Sequence, residues 1–140
     1  MGSIKPEFLI LNKQRKHRID SRELREFLNQ LAPELGVRER TFSVVFLTDA
    51  AMRSYNNDYR GFNKSTDVLS FRGDNEYLGD ILISSETAYN QARRSRTLGF
   101  ETNLHRLVLH GLLHLMGYDH ETDNGEMRAV ERRFRRRFQC

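Results

Sequence analysis

The segment His110-Gly111-Leu112-Leu113-His114-Leu115-Met116-Gly117-Tyr118-Asp119-His120 decides how this chain folds and what it can hold. Of the five histidines in the sequence, four fall between His105 and His120. His110 and His114 are four residues apart, which on a helix stacks both rings on one face, about one turn apart. Gly117 stops that helix, because glycine enters the left-handed region without a Cβ penalty. The chain then turns back and carries His120 towards the first two rings. Three neutral imidazoles converging from a helix and the turn after it form a tripod with one tetrahedral position open. That is the arrangement of a catalytic zinc rather than a structural one.

The competing reading is a core helix with packed histidines. Leu104, Leu107, Val108, Leu109, Leu112, Leu113, Leu115 and Met116 make the segment apolar on most sides. A lone histidine there reads as a hydrogen-bonded core residue. Three at this spacing each need a partner of their own, and one ion supplies all of them. His105 lies about 140° around an ideal helix from His110, so it is expected to pack and hydrogen-bond rather than act as a fourth ligand.

The spacing also matches the long zinc-protease signature H-E-x-x-H-x-x-G-x-x-H at every defined position except one. Gly111 stands where the protease carries its general-base glutamate. The metal cage is kept and the peptidase base is missing, so a metallopeptidase-like hydrolase is the disfavoured alternative.

Outward from this motif, 140 residues suffice for a single domain spanning 1–140 with a hydrophobic core of its own. No run is long and apolar enough for a membrane span, and the N-terminus lacks the apolar stretch of a signal peptide. The lone Cys140 excludes an intrachain disulfide and suits a reducing cytoplasm, the expected location. The net charge of +4 is distributed in three basic stretches. They are Lys13 to Arg22, then Arg93, Arg94 and Arg96, and a last helix rich in arginine, with Arg132, Arg133 and Arg136 as candidate RNA contacts. Arginine favours bidentate contact with phosphate, and three such patches around a metal motif point to a polyanionic partner.

Strands are expected at Phe8–Leu11, Thr41–Thr48, Val68–Phe71 and Leu78–Ser84, the last two as a hairpin across Gly73–Glu76. Five helices are expected. The first opens at an Asp20/Glu23 capping box and closes at Pro33 and Gly36. The second runs from Asp49 to about Tyr59, capped by Thr48. Ser85–Leu98, the histidine helix at Glu101–Met116 and a helix from near Asp123 follow. This order reads as α+β. Asp80 falls inside the apolar strand Leu78–Ile83, where a carboxylate needs a partner. It is expected either to accept from a ligand imidazole, to serve as a substitute base, or to be a buried structural carboxylate bonded to backbone N–H groups.

Four stretches give the chain a resemblance to the bacterial YbeY family of rRNA-maturation endoribonucleases. They are Leu47-Thr48-Asp49 with Tyr55-Asn56, Tyr59-Arg60-Gly61 leading to Thr66-Asp67-Val68-Leu69-Ser70-Phe71, Leu78 to Ser84, and the histidine segment itself. The resemblance implies a zincin-like α+β fold with a small mixed four-stranded sheet and one Zn2+ per chain on His110, His114 and His120. It implies single-strand-directed RNA cleavage in small-subunit rRNA 3′-end maturation and ribosome quality control. It also implies an activity role for Arg60, and RNA with ribosomal factors, not DNA, as partners. A non-catalytic ribosome-associated zinc-binding module is the remaining alternative.

Overall fold

The computed structural model describes residues 7–37 and 40–140. The chain runs β1 (Phe8–Asn12), α1 (Ser21–Leu35), β2 (Thr41–Leu47), α2 (Asp49–Arg60), β3 (Val68–Arg72), β4 (Tyr77–Ser84), α3 (Ser85–Arg94), α4 (Phe100–Leu115) and α5 (Glu126–Phe138). The four strands form one mixed sheet in the order β1-β2-β4-β3. β1 and β4 both lie parallel to β2, and β3 returns antiparallel to β4 as the expected hairpin. Four strands and five helices in an α+β arrangement match the expected fold class.

Alternation along the strands divides the sheet into two faces, because successive side chains point to opposite sides. Phe42, Val44, Phe46, Ile81 and Ile83 face a core shared with Leu28 and Leu31 of α1 and Leu109 and Leu112 of α4. Val45, Leu47, Leu69 and Leu82 face the other way, onto Met52 of α2. α4 therefore lies on one face and α2 on the other. β3 is the edge strand beside the C-terminal half of α4. Among the described residues no helix is long and apolar enough to cross a membrane.

Most boundaries fall within one residue of the sequence reading, and three helix ends differ for a physical reason. Pro33 lies inside α1, and Gly36 alone closes that helix at φ 85°. α3 ends at Arg94, because the Ser95 hydroxyl accepts from the backbone N–H groups of Thr97 (3.3 Å) and Leu98 (3.0 Å) and offers the chain a turn instead. α5 starts at Glu126. The Asp123 carboxylate still serves its N-terminus, accepting from Gly125 N–H at 2.8 Å and Met127 N–H at 2.9 Å.

Candidate metal centre

α4 ends as the glycine predicts. Gly117 has φ 101°, its N–H donates to His114 O at 3.0 Å, and Tyr118 N–H reaches back to Leu113 O at 3.1 Å. This pair of bonds is a Schellman turn, and it reverses the chain. His120 returns with its ring centroid 5.4 Å from each of the other two, which are themselves 4.7 Å apart.

One ligand nitrogen from each of His110, His114 and His120 lies within 4.8 Å of the others. The Nε2 atoms of His110 and His114 are 3.1 Å apart. Tetrahedral coordination with bonds of about 2.0–2.1 Å sets neighbouring nitrogens about 3.3 Å apart, so the His110–His114 pair is spaced for a divalent ion of zinc's size, with His120 close enough to supply a third nitrogen. Burial, and then the charges His110 and His120 would carry, hold the His114 imidazole below its ordinary pKa. The neutral, ligating form is thereby favoured.

The side chain that orients the first ligand is one the sequence reading missed. Glu131 of α5 approaches Nδ1 of His110 at 2.6 Å. An acceptor there assigns the proton to Nδ1 and leaves the Nε2 lone pair for an ion. Burial pushes the Glu131 carboxyl up, but the bond to His110 and the charges of His110 and Arg135 outweigh it and keep it low. A signal was present in the sequence. Met127, Val130, Phe134 and Phe138 form the inward stripe of α5, and Glu131 occupies a slot on that stripe, four residues from Met127 and three from Phe134.

Gly111 has a packing reason. A Cβ at this position would stand 2.7 Å from Ile81 Cγ2 and 3.1 Å from Ser70 Oγ. The Ser70 hydroxyl donates to Gly111 O at 3.0 Å, so α4 rests directly on β3 and β4 here. The position at which a zinc protease places its base faces into the sheet.

The imidazoles open on a cleft of about 650 Å³, whose walls include Arg60, Ser70, Phe71, Arg72, Tyr118, Asp119 and Glu121. Arg60 ends α2 and reaches the site around the edge strand. Asp67, also in the wall, accepts from Val68 N–H (2.7 Å) and Gln91 Nε2 (3.1 Å). Asp119 accepts from Glu121 N–H at 3.0 Å. Glu121 is the cleft carboxylate without a protein hydrogen bond among the described residues.

Asp80 is not at this centre, which corrects the expectation that it serves a ligand imidazole or acts as base. Its neighbour Ile81 faces α4, so strand alternation turns Asp80 to the opposite side of the sheet. There its Oδ1 accepts from Ser43 Oγ at 2.5 Å and from the Tyr77 hydroxyl. Burial and that bond push the Tyr77 phenol above its ordinary pKa. Asp80 is a structural carboxylate as in the third reading, except that side-chain hydroxyls rather than backbone N–H groups satisfy it.

Arg132, Arg133 and Arg136 are not brought to the cleft either. They lie about 100–160° around α5 from Glu131, on its outward side, where Arg133 covers the Phe134 ring at 4.9 Å. His105 is a packed residue, stacked on Phe27 at 3.9 Å and 2.9 Å from the Glu23 carboxylate.

The profile of the family described as Endoribonuclease YbeY matches residues 9–139. "Endoribonuclease YbeY" of Geobacter sulfurreducens is 36% identical over 138 residues, covering 92% of this chain and 91% of that protein. The protein of the same name from Wolinella succinogenes is 44% identical over 115 residues, 79% of each chain. The solution structure of TM1509 from Thermotoga maritima superposes with a TM-score of 0.68 at 25% identity, over 94% of this chain and 88% of that one. With its histidine tripod inside the matched region, the chain belongs to the YbeY endoribonuclease family.

Proposed function

We propose that this chain is a metal-dependent endoribonuclease that cuts single-stranded RNA during rRNA processing, with zinc as its ion. The observation that carries this reading is the convergence of His110, His114 and His120 on a cleft that also presents Arg60 and Arg72. The name shared by its relatives supports RNA as the substrate.

A divalent ion on three neutral imidazoles would acidify water and polarise a phosphoryl oxygen. The chain's own residues supply the rest. Arg60 offers planar, permanently charged donors to the non-bridging oxygens, where negative charge grows as phosphorus becomes pentacoordinate. Arg72 adds a second cation to the same wall. Glu131 holds the His110 ring in register. With Asp80 on the other face and Gly111 against the sheet, the proton released by the nucleophile falls to the rim carboxylates beside His120, Asp119 and Glu121. Ribosomal RNA of the small subunit, near its 3′ end, is the substrate we infer from family membership. The outward arginines of α5 are proposed as backbone contacts for RNA beyond the cleft.

The test pairs metal analysis of the purified protein with cleavage of a defined single-stranded RNA, with chelator and after zinc is restored. Loss of cleavage with the metal and its return with zinc are expected. RNA binding without any metal-dependent cut would overturn the enzyme reading in favour of a binding module. Steady cleavage of peptides with RNA untouched would revive the peptidase.

A further inference from the structure

We propose that the exposed rings of Tyr59 and Phe62 form a stacking platform for unpaired bases of the RNA strand whose phosphate enters the metal cleft. The proposal rests on the RNA reading above and deepens it, because it says what selects a single strand.

Among the described residues, the exposed large apolar side chains fall in two places. Leu9 and Leu11 lie on β1, at the sheet edge far from the cleft. The rest are rings on α2 and the loop that follows it: Tyr55, Tyr59 at 67% exposure and Phe62 at 49%. The Tyr55 and Tyr59 rings are nearly parallel, 13° apart with centroids at 6.1 Å. Tyr59 meets Phe71 at 5.0 Å, and Phe71 lines the cleft together with Arg60. The Arg60 guanidinium is 5.3 Å from the Phe62 centroid, and Lys64 Nζ is 5.7 Å from it. Tyr55, Tyr59 and Phe71 thus make a row on the α2 side of the sheet that ends at β3 in the cleft wall, and Phe62 carries two cations, one of them the cleft residue Arg60.

The loop that carries Phe62 is held in place. Asn56, buried, donates to Lys64 O at 2.9 Å, Arg53 Nε donates to Asn63 Oδ1 at 2.8 Å, and Lys64 N–H donates to Phe62 O at 2.9 Å. A ring carried on a backbone already held in place loses less freedom when a ligand stacks on it. An unpaired base offers a free π-face and a duplex hides its faces in its own stack, so such a platform discriminates by strandedness and tolerates sequence. Flat apolar rings alternating with cations suit a strand that is itself flat rings on an anionic backbone. An apolar protein surface would leave Arg60 and Lys64 without counter-charge.

The sequence contains no tryptophan, so Phe62→Trp places a single indole reporter in the platform. The full-length variant, loaded with zinc, is titrated with a cleavage-resistant phosphorothioate RNA roughly ten nucleotides long. A duplex of the same sequence and the same strand without bases serve as comparisons. Quenching by the single strand alone is expected. Phe62→Ala and Tyr59→Ala each weaken single-strand binding about ten-fold, and Phe62→Tyr and Tyr59→Phe bind as the parent does. Phe62→Ala, in the loop, keeps the test clear of any folding defect from Tyr59→Ala. Equal quenching by the strand without bases, or parental single-strand affinity in a folded Phe62→Ala, overturns the proposal; the latter is also the outcome for a patch that serves a protein partner. If the parent cuts RNA and Phe62→Ala binds normally, only the platform falls. Base-dependent quenching in a protein that never cuts RNA sinks the enzyme reading instead.

Discussion

The Glu131 carboxylate lies 2.6 Å from Nδ1 of His110, so a residue of the last helix aligns the first histidine of the candidate metal centre. Removing it by Glu131→Ala leaves the ring free to turn and its N–H unpaired. Zinc affinity is expected to fall about 10–100-fold, which competition against a chromogenic chelator measures. Affinity equal to the parent would show that packing alone orients His110.

His114→Ala removes a ligand from the middle of the tripod. Zinc retention and RNA cleavage should be lost together, by metal analysis and gel assay on the same preparation.

Arg60→Glu separates charge from metal. Arg60 touches the cleft and is not a ligand, so zinc content should stay parental while kcat on single-stranded RNA drops about 10²–10³-fold. Parental turnover would remove Arg60 from the chemistry.

Gly111→Ala sets two effects against each other. Helix propensity gains up to about 1 kcal/mol, while forcing a methyl within 2.7 Å of the buried Ile81 costs about 1–3 kcal/mol. Overpacking wins, so the unfolding midpoint should fall in thermal or urea melts. Gly111→Glu, which restores the protease sequence, should be less stable still and cleave no peptide.

Asp49 gives a pH prediction. It accepts from Thr87 Oγ1 at 2.7 Å, from Ser65 Oγ at 3.2 Å and from the Ser84 hydroxyl, tying the start of α2 to the end of β4 and the start of α3. Burial pushes its carboxyl up, but the hydroxyls of Ser84, Thr87 and Ser65 and the Lys16 charge outweigh that and hold it below its ordinary value. A carboxylate with a lowered folded pKa contributes stability above its unfolded pKa, and that contribution is lost as pH falls through the folded value. Asp49→Asn should therefore be less stable than the parent near neutral pH, with the gap closing in denaturant melts run at progressively lower pH below about 4.

The sequence by itself determined which three histidines cluster and the order of the elements. His110 and His114 are fixed by helical spacing, Gly117 by its left-handed turn, and Gly111 by its contrast with the protease glutamate. These are local properties of backbone and periodicity, and they survived intact. The assignment of carboxylates did not. Asp80 looked like the partner of an imidazole because it is a charge in an apolar strand, yet which face of the sheet it takes depends on where α4 packs. Glu131 looked like one more charge in an arginine-rich helix until α5 was laid against α4. Side-chain partners more than a few turns apart are set by which surfaces the elements bury, and burial is a property of the assembled fold. The tertiary structure decided that Glu131 meets the metal site and Asp80 does not, because the two sit on opposite sides of one sheet.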